Sequence, residues 1–205
     1  MKVAQLIKSG LKTAGFMLAL SWVLITCVSA LHLATADRVA QNDNLFLQRA
    51  VLQVADVAVP DEPAAVNELF HKIVTANRES APDRFDVHDP ADGSLRARVF
   101  KREARGLWGA IHAVVGLDPK TQKFMQIRFL EHNETPGLGA RIEEPWFQQQ
   151  MQGKTGPFVL KPEGTHSDQP TEIDAITGAT ITTVAVRDML NDVARTSANK
   201  TEVVQ

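Results

Sequence analysis

From Thr13 to Ala36 no residue carries a formal charge, and the run AGFMLALSWVLITCVSALHL within it is apolar enough and long enough to cross a hydrocarbon core as a helix. Lys2, Lys8 and Lys12 precede the run, whereas Asp37 and Arg38 cancel behind it. The positive-inside rule therefore predicts residues 1–12 in the cytoplasm, a span over 13–36, and the remainder on the far side of the membrane. A cleaved signal peptide is the competing expectation, because Val28-Ser29-Ala30 and Ala34-Thr35-Ala36 end in small residues that a signal peptidase accepts. Both readings export the rest of the chain. Cys27 reads as a small apolar residue of the span.

Past the span the pattern becomes mixed. Leu45, Leu47, Val51, Leu52, Val54 and Ala55 predict a helix over Asp37 to Val59, closed by Pro60-Asp61-Glu62-Pro63. Val66, Leu69, Phe70, Ile73 and Val74 place a second helix over Ala64 to Ala76. Asn77 to Gly93, dense in Pro, Asp and Arg, reads as loop, and its acids lack the spacing of a calcium loop. Leu95, Ala97 and Val99 alternate with basic residues and predict a strand with one wet face. Gly106 to Leu117 is apolar on both faces and predicts a central strand, joined through the turn residues Asp118-Pro119-Lys120-Thr121 to a partner over Lys123 to Glu131. Helices followed by strands favour an α+β domain with a largely antiparallel sheet, expected over residues 64–196 behind a connecting segment 37–63, with a tail at 197–205.

Two stretches carry chemistry. In Asp174-Ala175-Ile176-Thr177-Gly178-Ala179-Thr180-Ile181-Thr182, small and hydroxyl-bearing residues precede Val184, Val186, Met189, Leu190 and Val193, which are spaced as an apolar helix face. The threonines therefore sit at a helix start. That place suits a phosphate, through unpaired amides and the positive end of the helix dipole, and it equally suits an ordinary N-terminal cap. The second stretch, Glu131-His132-Asn133-Glu134-Thr135-Pro136-Gly137-Leu138-Gly139, reads either as a plain turn or as a backbone path shaped for a flat ligand.

Composition narrows the choice. A net charge of -2 gives no electrostatic argument for nucleic acid, which would call for a basic patch or stripe. A single cysteine excludes an intrachain disulfide framework and a cysteine zinc site, and the six histidines lack metal-site spacing. Neither a phosphate-binding Gly-x-x-x-x-Gly-Lys loop nor a Gly-x-Ser-x-Gly elbow occurs, and without a Gly-x-Gly-x-x-Gly turn the chain is not expected to bind NADH itself.

The threonine stretch resembles the Ser/Thr-Gly-Ala-Thr-x-Thr flavinylation motif of the family that holds the G subunit of Rnf-type ion-translocating electron transport complexes and the C subunit of sodium-translocating NADH:quinone oxidoreductases. Glu134 to Gly139 resembles the family's second signature, Glu-Thr-Pro-Gly-Leu-Gly, in the same order along the chain. The resemblance implies an FMN-binding domain in which FMN is joined through its phosphate to Thr182, a phosphoester, rather than to the adjacent Thr183. It further implies that Thr177, Gly178, Ala179, Thr180, Glu134, Thr135, Gly137, Leu138 and Gly139 line the flavin, and that a flavin transferase reads Asp174. Gly106-Leu107-Trp108 is similar to a family Gly-Leu-Trp, and Lys161 follows a short strand where the family often has a lysine near the flavin. Trp108 then either stacks on the ring or fills core.

The expected function is that of a redox subunit of a translocase in the inner membrane, partnered by membrane and redox subunits, binding no metal, and not catalytic alone. The expected anchor is a single pass with the domain in the periplasm. Length and the wording of the second signature lean to the Rnf G subunit, and Gly-Leu-Trp leans to the quinone-reductase C subunit. A noncatalytic membrane-tethered assembly domain is the reading from another class.

Overall fold

The computed structural model describes residues 2–76 and 83–199, with side chains from residue 10 to residue 76 and from 83 to 198. Residues 77–82 of the expected loop, residues 200–205 of the expected tail, and the side chains of Lys2 and Lys8 lie outside the described residues. The chain divides into two compact units, Met1–Asn44 and Leu45–Gln205.

The first unit is helix, the greater part of α1 (Lys2–Val54). From Gly10 onward α1 is long and apolar enough to cross a membrane. Phe16, Trp22, Leu24, Ile25 and Leu31 are all exposed, so no protein core accounts for their apolar character. Thr26 and Thr35 donate their hydroxyls to the carbonyls of Trp22 and Leu31 at 2.8 and 2.9 Å. Such back-bonding satisfies a hydroxyl where no water is available to do so.

The second unit is a five-stranded antiparallel sheet in the order β1-β2-β3-β4-β5: β1 Val74–Ala76, β2 Arg84–His88, β3 Leu95–Arg105, β4 Ala110–Leu117 and β5 Phe124–Glu131. It is an α+β domain, as expected, with apolar packing on both faces of the sheet. One face packs Ala50 to Ala55 at the end of α1, Val66 and Ile73 of α2 (Pro63–Ile73), and Val87, Ala97, Val99 and Val114 of the strands. The other face packs Phe100, Ile111, Ala113, Val115, Phe129 and their neighbours against α3 (Pro145–Gln149) and α4 (Thr180–Asn199). A small parallel pair, β6 (Val159–Lys161) with β7 (Glu172–Asp174), lies beside α4. β4 lies inside the sheet and is buried on both faces, which is what its unbroken apolar run calls for.

Four local expectations are corrected. First, α1 ends at Val54 rather than Val59. Asp56 takes a positive φ of 56°, and the guanidinium of Arg96 donates to the carbonyls of Ala55 and Asp56 at 2.9 and 2.7 Å, clasping the helix end. Second, α2 stops at Ile73, because the β-branched pair Val74 and Thr75 joins the sheet opposite Val87 and Asp86. Third, the segment read as loop contains β2, whose buried Val87 alternates with polar neighbours too briefly to stand out. Fourth, β3 and β4 pair as far as Arg105 and Ala110, so Gly106 to Gly109 is a hairpin tip rather than strand.

Candidate functional site

The hairpin tip brings the site together. Gly106 donates its amide to the carbonyl of Gly109 at 2.8 Å, closing a four-residue turn that holds Leu107 and Trp108 outward. Trp108 is 63% exposed and therefore does not fill core. Its backbone N–H donates to Glu134 Oε1 at 3.2 Å, and its indole Nε1 donates to the Thr135 hydroxyl at 3.0 Å. The loop after β5 is thereby fixed to the tip.

Glu134 joins that loop to the threonine segment. Thr182, in the first turn of α4, donates its hydroxyl to Glu134 Oε2 at 2.5 Å across 48 positions of sequence. Both groups are buried, Glu134 at 6% and Thr182 at 1% exposure. The glycines around them leave room for the carboxylate. A Cβ on Gly106 would strike Glu134 Oε1, and one on Gly139 would strike Glu134 Oε2 and lie 2.8 Å from Thr182 Oγ1. Behind Glu134, His132 Nδ1 accepts the Glu134 amide at 3.3 Å, and Nε2 lies 3.2 Å from Glu143 Oε1 without the geometry of a hydrogen bond.

Thr183, the adjacent hydroxyl, is engaged both as donor and as acceptor. It accepts the Ile176 amide at 3.2 Å and donates to the Ala179 carbonyl at 2.9 Å, with 0% exposure. It is a structural cap that ties the Thr177 to Ala179 turn to α4. Gly178 turns that corner at φ 80°, and its missing Cβ would sit 3.1 Å from Leu138 Cδ2, so Leu138 lies against the threonine loop. Thr177 and Thr180 are exposed, while Ala179 is buried.

A salt-bridge cluster that no sequence motif announces braces the same loop. Glu163 accepts the Thr177 amide at 2.7 Å and pairs with Arg141 at 2.7 Å, while Arg141 also reaches Glu144 at 3.3 Å. The Arg141 hydrogen bond, followed by the Thr177 amide, pulls the Glu163 carboxyl down to about 2. Arg141 is in turn held above its ordinary value, chiefly by Glu163. The only sequence hint was that Arg141 follows the second signature by two positions.

The two remaining expected positions sit to one side. Asp174, at the end of β7, is buried and accepts the His166 amide at 3.0 Å, beside a cavity of about 310 Å³ lined in part by Trp146, Lys154 and Ser167. Lys161 pairs its ammonium with Glu172 at 3.0 Å, and its carbonyl takes the Ala175 amide at 2.7 Å. The Ser167 hydroxyl, then Lys161, lowers the Glu172 carboxyl.

These residues fit a flavin mononucleotide. The hairpin tip, the Glu134 loop and the first turn of α4 expose Leu107, Trp108, Leu138 and Ile181, an apolar and aromatic group suited to a flat ring system. The first-turn amides of α4 have no carbonyl partner within the helix and favour a phosphate.

Fold and site together define a membrane-anchored FMN-binding domain, and comparison with known proteins agrees. Residues 106–195 match the FMN-binding domain family. The chain is 30% identical to the G subunit of the ion-translocating oxidoreductase complex of Shewanella amazonensis over 97% of this chain and 91% of that one. It is also 31% identical to the C subunit of the Na(+)-translocating NADH-quinone reductase of Neisseria meningitidis, over 47% of this chain and 40% of that one. The chain thus spans about 40% of the length of such quinone-reductase relatives. Among solved structures, the C subunit of the Na(+)-translocating NADH-quinone reductase of Parabacteroides distasonis superposes with a TM-score of 0.63 at 21% identity, covering 81% of this chain and 96% of that one. NqrC of Shewanella oneidensis superposes with a TM-score of 0.61 at 24% identity, covering 71% and 88%. The chain belongs to the family of FMN-binding proteins that includes the G subunit of ion-translocating oxidoreductase complexes.

Proposed function

We propose that this chain is an electron-carrying subunit of an Rnf-type ion-translocating complex, holding FMN through a phosphoester to Thr182 on the extracytoplasmic side of the inner membrane. The carrying observation is the Thr182–Glu134 hydrogen bond, which joins the two signature segments in one buried pair beside an exposed tryptophan. When bound, FMN supplies reversible uptake and release of electrons. The protein's part is to hold and tune it. Trp108 and Leu138 bear on the ring, the first turn of α4 bears on the phosphate, and Thr182 is an anchor rather than a catalyst. Covalent attachment suits a domain outside the cytoplasm, where a lost flavin is not readily replaced. The Thr183 hydroxyl, whose proton is already given to the Ala179 carbonyl, supports Thr182 over its neighbour.

The near-complete overlap with the G subunit, against 40% coverage of the quinone-reductase C subunit, favours the Rnf-type complex. Partners are then the other membrane and redox subunits, with a flavin transferase for maturation that reads Asp174. Coexpression with a flavin transferase and a denaturing gel give the test: the wild-type band fluoresces and Thr182→Ala is dark. A label mapped by mass spectrometry to the exposed Thr177 or Thr180 refutes the attachment site. A reporter fused after Gln205 that works only in the cytoplasm refutes the orientation.

A further inference from the structure

We propose that Glu134 is the base for flavin attachment, taking the Thr182 hydroxyl proton as Thr182 Oγ attacks phosphorus. This rests on the reading of Thr182 as the anchor and adds a named role to a residue otherwise understood as ring lining. The 2.5 Å contact already directs the hydroxyl proton at Glu134 Oε2, within the reach required of a general base. The other carboxylate oxygen is held by the Trp108 amide at 3.2 Å, and Gly106 and Gly139 enclose the group so closely that neither position admits a Cβ without striking it. His132 Nδ1 accepts the Glu134 amide from behind. A carboxylate restrained at both oxygens and at its amide is aimed, and its target is the Thr182 hydroxyl, whereas the neighbouring Thr183 hydroxyl is spent on a backbone carbonyl.

The chemistry also limits the donor. Esterification by free FMN would expel hydroxide, a poor leaving group, whereas a flavin dinucleotide presents the same phosphorus in a diphosphate. In the step proposed, an Oγ–P bond forms and the P–O bond to the nucleoside monophosphate breaks. The electron pair of that bond departs with the nucleotide, and the Oγ proton passes to Glu134 Oε2 and then to water. No electron is exchanged. Thr182 is 1% exposed, so its surroundings must open for the donor to reach it.

The test is single-turnover labelling of the detergent-solubilised full chain by a purified flavin transferase with FAD, read as mass gain and mapped to the residue. Glu134→Gln should keep its fold by circular dichroism and lose about 10² to 10⁴-fold in attachment rate, the usual range for a general base. Glu134→Ala should be equally slow and regain rate in formate, whose carboxylate fits the vacated space. Wild-type rates in Glu134→Gln, or faster labelling in Glu134→Ala, overturn the proposal and make Glu134 a cover over the hydroxyl. If the wild-type chain is labelled at another threonine, both this inference and the Thr182 anchor fall; if it is labelled at Thr182 and Glu134→Gln matches it, only this inference falls.

Discussion

Alanine at Gly139 separates steric crowding at the buried pair from backbone strain in the same loop. Gly139 opens a 3-10 turn and has no left-handed φ, so alanine is conformationally acceptable there. Its Cβ, however, would strike Glu134 Oε2 and sit 2.8 Å from Thr182 Oγ1 and 2.9 Å from Glu134 Cβ. Forcing a methyl into a packed site costs about 1–3 kcal/mol. Parting the Thr182–Glu134 hydrogen bond adds about 1.5–3 kcal/mol, since one partner is charged. Partial relaxation makes about 2–4 kcal/mol a fair sum, a fall in Tm of about 4–16 °C for a chain of this size. Gly137 is the control. Its φ is 75° and nothing lies within 4 Å of a Cβ, so alanine there costs only left-handed strain, about 1–2 kcal/mol. Thermal unfolding of the detergent-solubilised chain should rank Gly139→Ala below Gly137→Ala. In a Glu134→Ala background the Gly139 penalty should shrink by about 1 kcal/mol or more, the coupling expected of residues in contact. Equal penalties at the two glycines, or an unchanged Gly139 penalty without Glu134, would refute the claim that Gly139 is small because of the carboxylate.

Thr183→Val should lower stability by about 1–3 kcal/mol, because it strips the buried Ile176 amide of its acceptor, while flavin attachment at Thr182 persists; Thr183→Ser should restore the loss. Arg96→Ala should cost about 1–3 kcal/mol in thermal unfolding, since the guanidinium bonds two carbonyls at the end of α1, and Arg96→Lys should recover only part because it lacks the fork. Glu163 titrates near 2 when folded against 4.5 otherwise, a depressed carboxyl. Its stabilising contribution is therefore complete above about pH 4.5 and fades as pH falls toward 2. The Tm gap between wild type and Glu163→Gln should be constant above pH 5 and close below it.

The long apolar helix, the alternating β5 and the two-faced β4 were legible because their periodicity runs for many residues. Short elements were not. Val74 to Ala76 and Arg84 to His88 are strands because they find each other across the sheet, a contact that no local pattern encodes. The hairpin tip was misread for a related reason: Gly106-Leu107-Trp108 is apolar enough for strand, yet Trp108 faces outward because the turn closes from Gly106 to Gly109. The candidate site was legible as two motifs, and their being joined through Glu134 and Thr182 was not. Nor was the Arg141–Glu163 brace, whose members are 22 positions apart and belong to no motif.

The glycines of the second signature read from sequence as freedom for a chain that must approach a flat ligand. Gly137 fits that reading, with a positive φ and open space beside it. Gly139 does not, and neither does Gly106 of the hairpin tip, because each lacks a side chain where a Glu134 oxygen stands. The small residues therefore serve two ends. One keeps the loop able to turn, and the other two admit a carboxylate between the hairpin tip and α4, where it meets a threonine hydroxyl that only the fold could bring to it. If so, moving the carboxylate back by one methylene in Glu134→Asp leaves the glycines without their occupant. The Gly139→Ala penalty should then fall in that background almost as far as in Glu134→Ala.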